Sequence, residues 1–202
     1  MTPERYKRLT TVLQHRQPDL TVVMENVFDP HNISAVMRTC DAVGIQDVYI
    51  LNNRIPPHKK WGYRSSSTAA DWLTIHQYND VGKCFADLRK KYQKIYCSFL
   101  GEPSRNLYGL DFTESVALVF GNETFGVSED IRKLCDGNFI IPQVGIIKSL
   151  NISVACAIAL YEAFRQKKLS GHYDHQRLAT EHMQELMKAW ELPENGPLPP
   201  GI

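Results

Sequence analysis

The sequence predicts an α/β domain built on a mostly parallel, doubly wound sheet, and three observations carry that expectation. Short β-rich runs alternate with helical patterns. The runs are apolar at nearly every position, as strands buried on both faces are. A chain of 202 residues, 43% hydrophobic, can also bury one substantial core. "LTVVMENV" at 20–27, "DVYIL" at 47–51, "KIYCS" at 94–98, "SVALVF" at 115–120 and "NFIIP" at 138–142 read as the strands. Residues 32–43, 79–92, 128–135 and 151–168 read as helices, the first with Ile33, Val36, Met37, Cys40 and Val43 on one stripe. Residues 1–19 read as a basic helical arm and 20–170 as the domain. Residues 171–202 read as a tail, with an amphipathic helix in "LATEHMQELMKAW" and a Pro-rich end.

Composition excludes some classes. A formal net charge of +1 argues against a generic polycation, although charge is locally uneven. Residues 1–16 hold Arg5, Lys7, Arg8 and Arg16 against Glu4, and "HKKWGYR" at 58–64 adds Lys59, Lys60 and Arg64. Such patches are usually solvated surface, and their recurrence favours nucleic acid modestly. The N-terminus is charged without an apolar leader, and no apolar run is long enough to span a bilayer, so a cytoplasmic location is expected. The three Asn-x-Ser/Thr triplets, at Asn32, Asn122 and Asn151, are then not glycosylation sites. Cys40, Cys84, Cys97, Cys135 and Cys156 are odd in number and lack a Cys-x-x-Cys pair, as free structural thiols would be, and no cluster has metal-ligand spacing.

Asn-Ile-Ser occurs twice, in "HNISAVMRTCDAVG" and "LNISVACAIALYEAF", each time opening a helical run. Asn caps helices well, because its side-chain oxygen accepts an orphan backbone N–H. Two ordinary caps at Asn32 and Asn151 are therefore one reading. In a doubly wound sheet these helix starts also lie at the carboxyl ends of strands, where ligands bind. Ser34 and Arg38 stand four apart on the face expected opposite the apolar stripe, although a lone Arg there is more often a salt-bridge partner. "VALVFGNETFGVSED" places Gly121, Asn122 and Glu123 at the end of a buried strand, which alone would be read as a turn. "IPQVGIIKSLNISVA" runs from strand through an irregular loop to a helix, and its backbone polar groups need partners. Neither a G-x-G-x-x-G fingerprint nor a P-loop is present.

Together "NISAVMR", "GNETFG" and "IP…G…SLNISVA", in this order and separation, resemble the SpoU class of the SPOUT methyltransferases over about residues 1–175. Within that class, "RQPDLTVVMENVFDPHNISAVMRTCDAVG" is most similar to the branch that methylates guanosine 18 of tRNA. The resemblance implies a SPOUT fold with a C-terminal trefoil knot, an obligate homodimer packed through the terminal helices, S-adenosylmethionine as cofactor, no metal, and tRNA as substrate. It assigns the ribose 2′-OH to Arg38, held by Asn32, with Glu123, Ser149 and Asn151 completing the polar set. It places the cofactor on Ser98, Phe99, Leu100, Gly121, Asn122, Ile141, Pro142, Ile146, Ser149 and Leu150. Arg16, His31, Lys59, Lys60, Arg64 and Arg165 are the candidate RNA contacts. Two alternatives stay open: a 2′-O-methyltransferase of ribosomal RNA or of the anticodon loop, and a catalytically idle RNA-binding protein on the same scaffold.

Overall fold

The structure, a computed structural model, describes residues 1–58, 69–193 and 196. Its centre is a seven-stranded sheet in which every pairing is parallel. In chain order the strands are β1 (Leu20–Glu25), β2 (Asp47–Leu51), β3 (Thr74–Tyr78), β4 (Lys94–Ser98), β5 (Ser104–Asn106), β6 (Val116–Phe120) and β7 (Gly137–Ile140). Their spatial order is β3-β2-β1-β6-β4-β7-β5, so β6 lies between β1 and β4. The helices are α1 (Pro3–Gln14), α2 (Pro30–Ala42), α3 (Val81–Lys91), α4 (Glu129–Arg132), α5 (Ile152–Leu169) and α6 (Thr180–Ala189).

The two-faced burial follows from the period of two along a strand. Leu20, Val22 and Met24 of β1 and Val116, Leu118 and Phe120 of β6 point into one core, with Ile33, Val36, Met37 and Cys40 of α2 and Cys156, Ala159 and Leu160 of α5. Val23, Ala117 and Val119 point the other way, onto Cys84, Phe85 and Leu88 of α3 and Ile131 of α4. A third, smaller cluster joins α1 to α6 through Leu13, Leu186 and Trp190.

The five strands expected from the sequence are present; β3 and β5 were not expected. Both are edge strands, and "TIHQY" and "SRN" carry too little apolar character to signal a strand. Asn32 does not cap α2. Asp29 does, accepting from the His31 N–H at 2.8 Å, with Pro30 at the first helical position, so the helix starts two residues earlier than its apolar stripe suggests. Ser34 does not share Arg38's exposed face: it is buried, and its hydroxyl donates back to the Pro30 carbonyl. The expected helix at 128–135 is only a single turn, α4, because Leu134 and Cys135 close it with tight turns before Asp136 donates its N–H to Ile95 of β4. All five cysteines are free thiols.

Candidate active site

The carboxyl ends of β1, β4, β6 and β7 share one edge of the sheet, and three segments meet there. The first is the turn after β6. Gly121 must be glycine, since a Cβ would lie 2.1 Å from the Gly126 carbonyl carbon. Asn122 then closes the turn: its Oδ1 accepts from the Thr124 and Phe125 N–H groups at 2.8 and 3.1 Å, and its carbonyl accepts from Gly126, at φ +67.

That turn aims Glu123 at the segment leading into α2. The carboxylate accepts from the backbone N–H of Phe28 at 3.2 Å and of Asp29 at 3.5 Å, and from Asn32 Nδ2 at 2.9 Å. Asn32 Oδ1 in turn accepts from Asn151 Nδ2 at 3.2 Å. Asn151 is the N-cap of α5, its Oδ1 accepting from the Ser153 N–H and hydroxyl at 2.8 and 2.6 Å. The two Asn-Ile-Ser motifs, 119 residues apart, are thus joined by a direct side-chain hydrogen bond. Only the second asparagine is a cap.

Beside this chain of amides lies a cleft of about 510 Å³. It is lined by Ser98, Phe99 and Leu100 after β4, by 120–126 after β6, and by Lys148, Ser149, Leu150 and Asn151 before α5. A smaller space of about 80 Å³ adjoins it, walled by Phe139, Ile140 and Ile141 of β7 and its exit. Of the ten positions assigned to the cofactor, Ser98, Phe99, Leu100, Gly121, Asn122, Ser149 and Leu150 line the cleft and Ile141 lines the annex. Pro142 and Ile146 line neither, and Ile146 is fully exposed. Cys97, just before Ser98, has its thiol pKa pulled below the ordinary value, first by a hydrogen bond from Cys135 and then by the Arg132 charge, against the effect of burial.

Arg38 is exposed on α2, six residues beyond Asn32 and so roughly 9 Å further along the helix axis, and it is not part of the cleft wall. Among the RNA candidates, Arg16 is corrected. Its side chain is 0% exposed, donating to the Ile45 and Trp72 carbonyls and pairing with Asp41 at 2.8 Å, so it is a core residue. His31 is exposed in the first turn of α2. Arg165 is exposed on α5 and held by Glu162 through two bonds of 2.7 and 2.8 Å. Lys59, Lys60 and Arg64 lie outside the described residues.

The sequence reading missed Glu25 and Asn26. Glu25 ends β1, is buried, and accepts the Ser128 N–H at 2.9 Å. Asn26, at φ +48, gives its carbonyl to Asn122 Nδ2 at 2.8 Å and its Oδ1 to the Arg54 N–H at 2.9 Å. The signal was available: an acid and an amide closing a mostly apolar strand need buried partners.

Residues 19–161 match the SpoU rRNA Methylase family. The chain belongs to that family. At 39% identity over 191 residues, covering 94% of this chain and 96% of the relative, it is similar to the tRNA (guanosine(18)-2′-O)-methyltransferase of Thermus thermophilus. The crystal structure of the Aquifex aeolicus TrmH/SpoU tRNA modifying enzyme superposes with a TM-score of 0.86 at 36% identity, over 93% of this chain and 96% of that one. The SpoU methyltransferase AviRb from Streptomyces viridochromogenes, solved in complex with AdoMet, is more distant. It has a TM-score of 0.66 at 25% identity, and the match covers 77% of this chain and 59% of that one. The parallel α/β sheet described above is therefore the SpoU fold.

Proposed function

We propose that this SpoU-family chain is an S-adenosylmethionine-dependent tRNA 2′-O-methyltransferase acting on guanosine 18. The observation that carries this reading is the Glu123–Asn32–Asn151 hydrogen-bond chain beside the 510 Å³ cleft. The cleft fits an adenosine-bearing cofactor. Its volume lies in the usual ligand range of about 300–1,000 Å³, its walls are apolar at Phe99, Leu100, Phe120 and Leu150, and strand-end backbone groups sit at its floor. S-adenosylmethionine, when bound, supplies an electrophilic methyl on sulfonium, which leaves as a neutral thioether.

The protein's part is positioning and charge placement. Glu123 fixes the start of α2 and Asn32; Asn32 and Asn151 fix each other and hold the mouth of the cleft. Transfer to the ribose 2′-oxygen releases that hydroxyl's proton. Arg38 would orient an RNA phosphate that takes the proton while its guanidinium stabilises the developing charge. Ser149 completes the polar set. His31, Arg165, Lys59, Lys60 and Arg64 are the RNA contacts of this reading.

The same reading includes a cytoplasmic enzyme that needs no metal, the family's C-terminal knot, and a homodimer packed through its terminal helices. Exposed Val144, Ile146 and Ile147, with Val154 and Tyr161 on α5, offer apolar surface for such an interface. No helix of the described residues is long and apolar enough to cross a membrane, and no three of their His, Cys, Asp or Glu side chains could hold a metal.

The test is nucleoside mass spectrometry of tRNA transcripts incubated with protein, S-adenosylmethionine and a chelator. Expected is one 2′-O-methylguanosine per transcript, abolished when the residue at position 18 is a 2′-deoxynucleotide. Methylation of ribosomal RNA but not tRNA would replace the substrate, and loss of activity with chelator would overturn the metal-free chemistry.

A further inference from the structure

A second cavity, of about 330 Å³, lies away from the cleft, between α1, α6 and the segment before β3. It is lined by Arg5, Arg8, Leu9, Val12, Asp41, Trp72 and Trp190. Its wall is unusual in combining three things. Two indoles meet edge to face, with Trp72 and Trp190 centroids 5.1 Å apart at 85°. Behind them the buried Arg16 guanidinium lies 5.5 Å from the Trp190 ring and holds the Trp72 carbonyl at 3.1 Å, which fixes both rings. In front, Arg5 and Arg8 are exposed on α1, one turn apart, and neither makes an ion pair among the described residues. The one acid in the wall, Asp41, is already engaged by Arg16 at 2.8 Å, so the free charge facing the cavity is that of the two arginines.

The first helix offers Arg5 and Arg8 no carboxylate beyond Glu4. Held over pre-fixed aromatic rings, two unpaired guanidinia match an anion carried on a flat ring. A nucleotide has that composition: its base can stack on an indole, and its phosphate can bridge two guanidinia three residues apart on one helix face. A phosphate alone would leave the half-buried Trp72 ring in the cavity wall uncovered. An apolar protein segment would leave the two charges unpaired and partly desolvated, which costs more than the contact returns.

We propose that this cavity is a second RNA subsite, which takes one unpaired nucleotide of the substrate with its base on Trp72 and its phosphate between Arg5 and Arg8. The subsite rests on the RNA-methyltransferase reading above and extends the footprint to α1 and the end of α6, so it requires that the terminal-helix packing of the proposed dimer leave this cavity open. It acts on affinity alone, because no cleft residue belongs to it.

The test uses the full chain with Trp61→Phe, which leaves Trp72 and Trp190 as the only tryptophans of the three. Titration with a tetra-adenylate RNA should quench tryptophan emission saturably. The quench should vanish in Arg5→Ala/Arg8→Ala and in Trp72→Leu. The double arginine variant should bind tRNA about tenfold more weakly, with a log K against log salt slope smaller by about 0.7, the value for one lost single-strand phosphate contact. Its affinity for S-adenosylmethionine should not change. Because Arg5 and Arg8 are exposed, that variant carries the test even if Trp72→Leu fails to fold.

Quenching that survives the arginine variant, or an unchanged tRNA affinity and slope, would overturn the proposal. So would conversion of the double variant from dimer to monomer, which would mean that a second copy of the chain fills the cavity. If wild-type protein methylates tRNA while these effects are absent, only the subsite fails. If it methylates no RNA, the functional reading fails, and the oligonucleotide quench decides the subsite separately.

Discussion

The two ends of the sheet handle polar groups in opposite ways. At the amino end, charges are buried in ion pairs. Asp19, just before β1, takes Lys167 at 2.9 Å and Arg177 at 2.7 Å on the same oxygen; Asp47, the first residue of β2, takes His76 at 2.6 Å and Lys91 at 3.4 Å. Arg16 and Lys167 there are both 0% exposed. At the carboxyl end, the Glu123–Asn32–Asn151 chain is at the surface, uses neutral amides and one carboxylate, and opens on a cleft. Buried charge left without its partner costs several kcal/mol, so the amino end is built to be closed. The Glu123–Asn32–Asn151 chain keeps its groups wet and oriented, which costs little to hold and leaves them free to meet a ligand.

The largest expected effect separates the two ends by readout. Arg38→Ala should fold, bind S-adenosylmethionine and bind tRNA, yet lose methyl transfer by roughly two to four orders of magnitude, the scale of acid-base assistance. Arg38→Lys should be nearly as poor, because a point charge cannot reproduce the planar fork. A lysine variant with near-normal turnover, or an alanine variant that unfolds, would make Arg38 a structural residue like those at the other end.

Asp19→Ala makes the converse case. It leaves Lys167 buried at the end of α5 without its carboxylate, and should cost about 3–5 kcal/mol, visible as a large fall in melting temperature. Residual folded protein at low temperature should still bind S-adenosylmethionine with ordinary affinity. Loss of cofactor binding at full stability would mean that the two ends are not independent.

How far the sequence could be read follows the same division. The central strands were legible because burial on both faces leaves only apolar residues, as in "VALVF". The edge strands β3 and β5 were not, because half-exposed edges tolerate Thr, His, Gln, Ser, Arg and Asn. At the site, Glu123, Asn32 and Asn151 were legible as motif residues, but their mutual bonding across 91 and 119 positions is a product of topology that no local pattern encodes. Arg16 misled for a similar reason: in sequence it is one more base in a basic arm, and only the fold supplies the Asp41, Ile45 and Trp72 oxygens that bury it.

A moderate effect is expected where cap and site coincide. Asn151→Ala removes the acceptor for the Ser153 N–H and the donor to Asn32 together. The cap should cost about 1 kcal/mol of stability. Asn151→Asp keeps the cap acceptor and replaces the donor to Asn32, so it should recover that stability while activity stays low. Recovery of both, measured by melting and by methyl transfer, would reduce Asn151 to a cap.

The smallest effect is a pH dependence confined to the amino end. His172 Nδ1 lies 3.8 Å from Asp19, and the imidazole pKa is lowered from its ordinary 6.5, first by burial and then by the charges of Lys167 and Arg177, with Asp19 opposing. A histidine whose folded pKa is lowered binds its proton more readily when unfolded, so stability falls as pH drops through 6.5 toward the folded value. Asp47 adds a later step of the same sign. Burial alone would raise its pKa, but the His76 hydrogen bond and the Lys91 charge outweigh burial and hold it below 3.8, so its contribution is present above that pH and is lost below it. Melting temperature should therefore decline in two stages on acidification. His172→Gln should flatten the first stage and leave the second, and Asp47→Asn should do the reverse. If neither substitution changes the acid limb, the buried charges at the amino end do not set the acid stability of the fold, and the contrast between the two ends lies in solvent exposure alone.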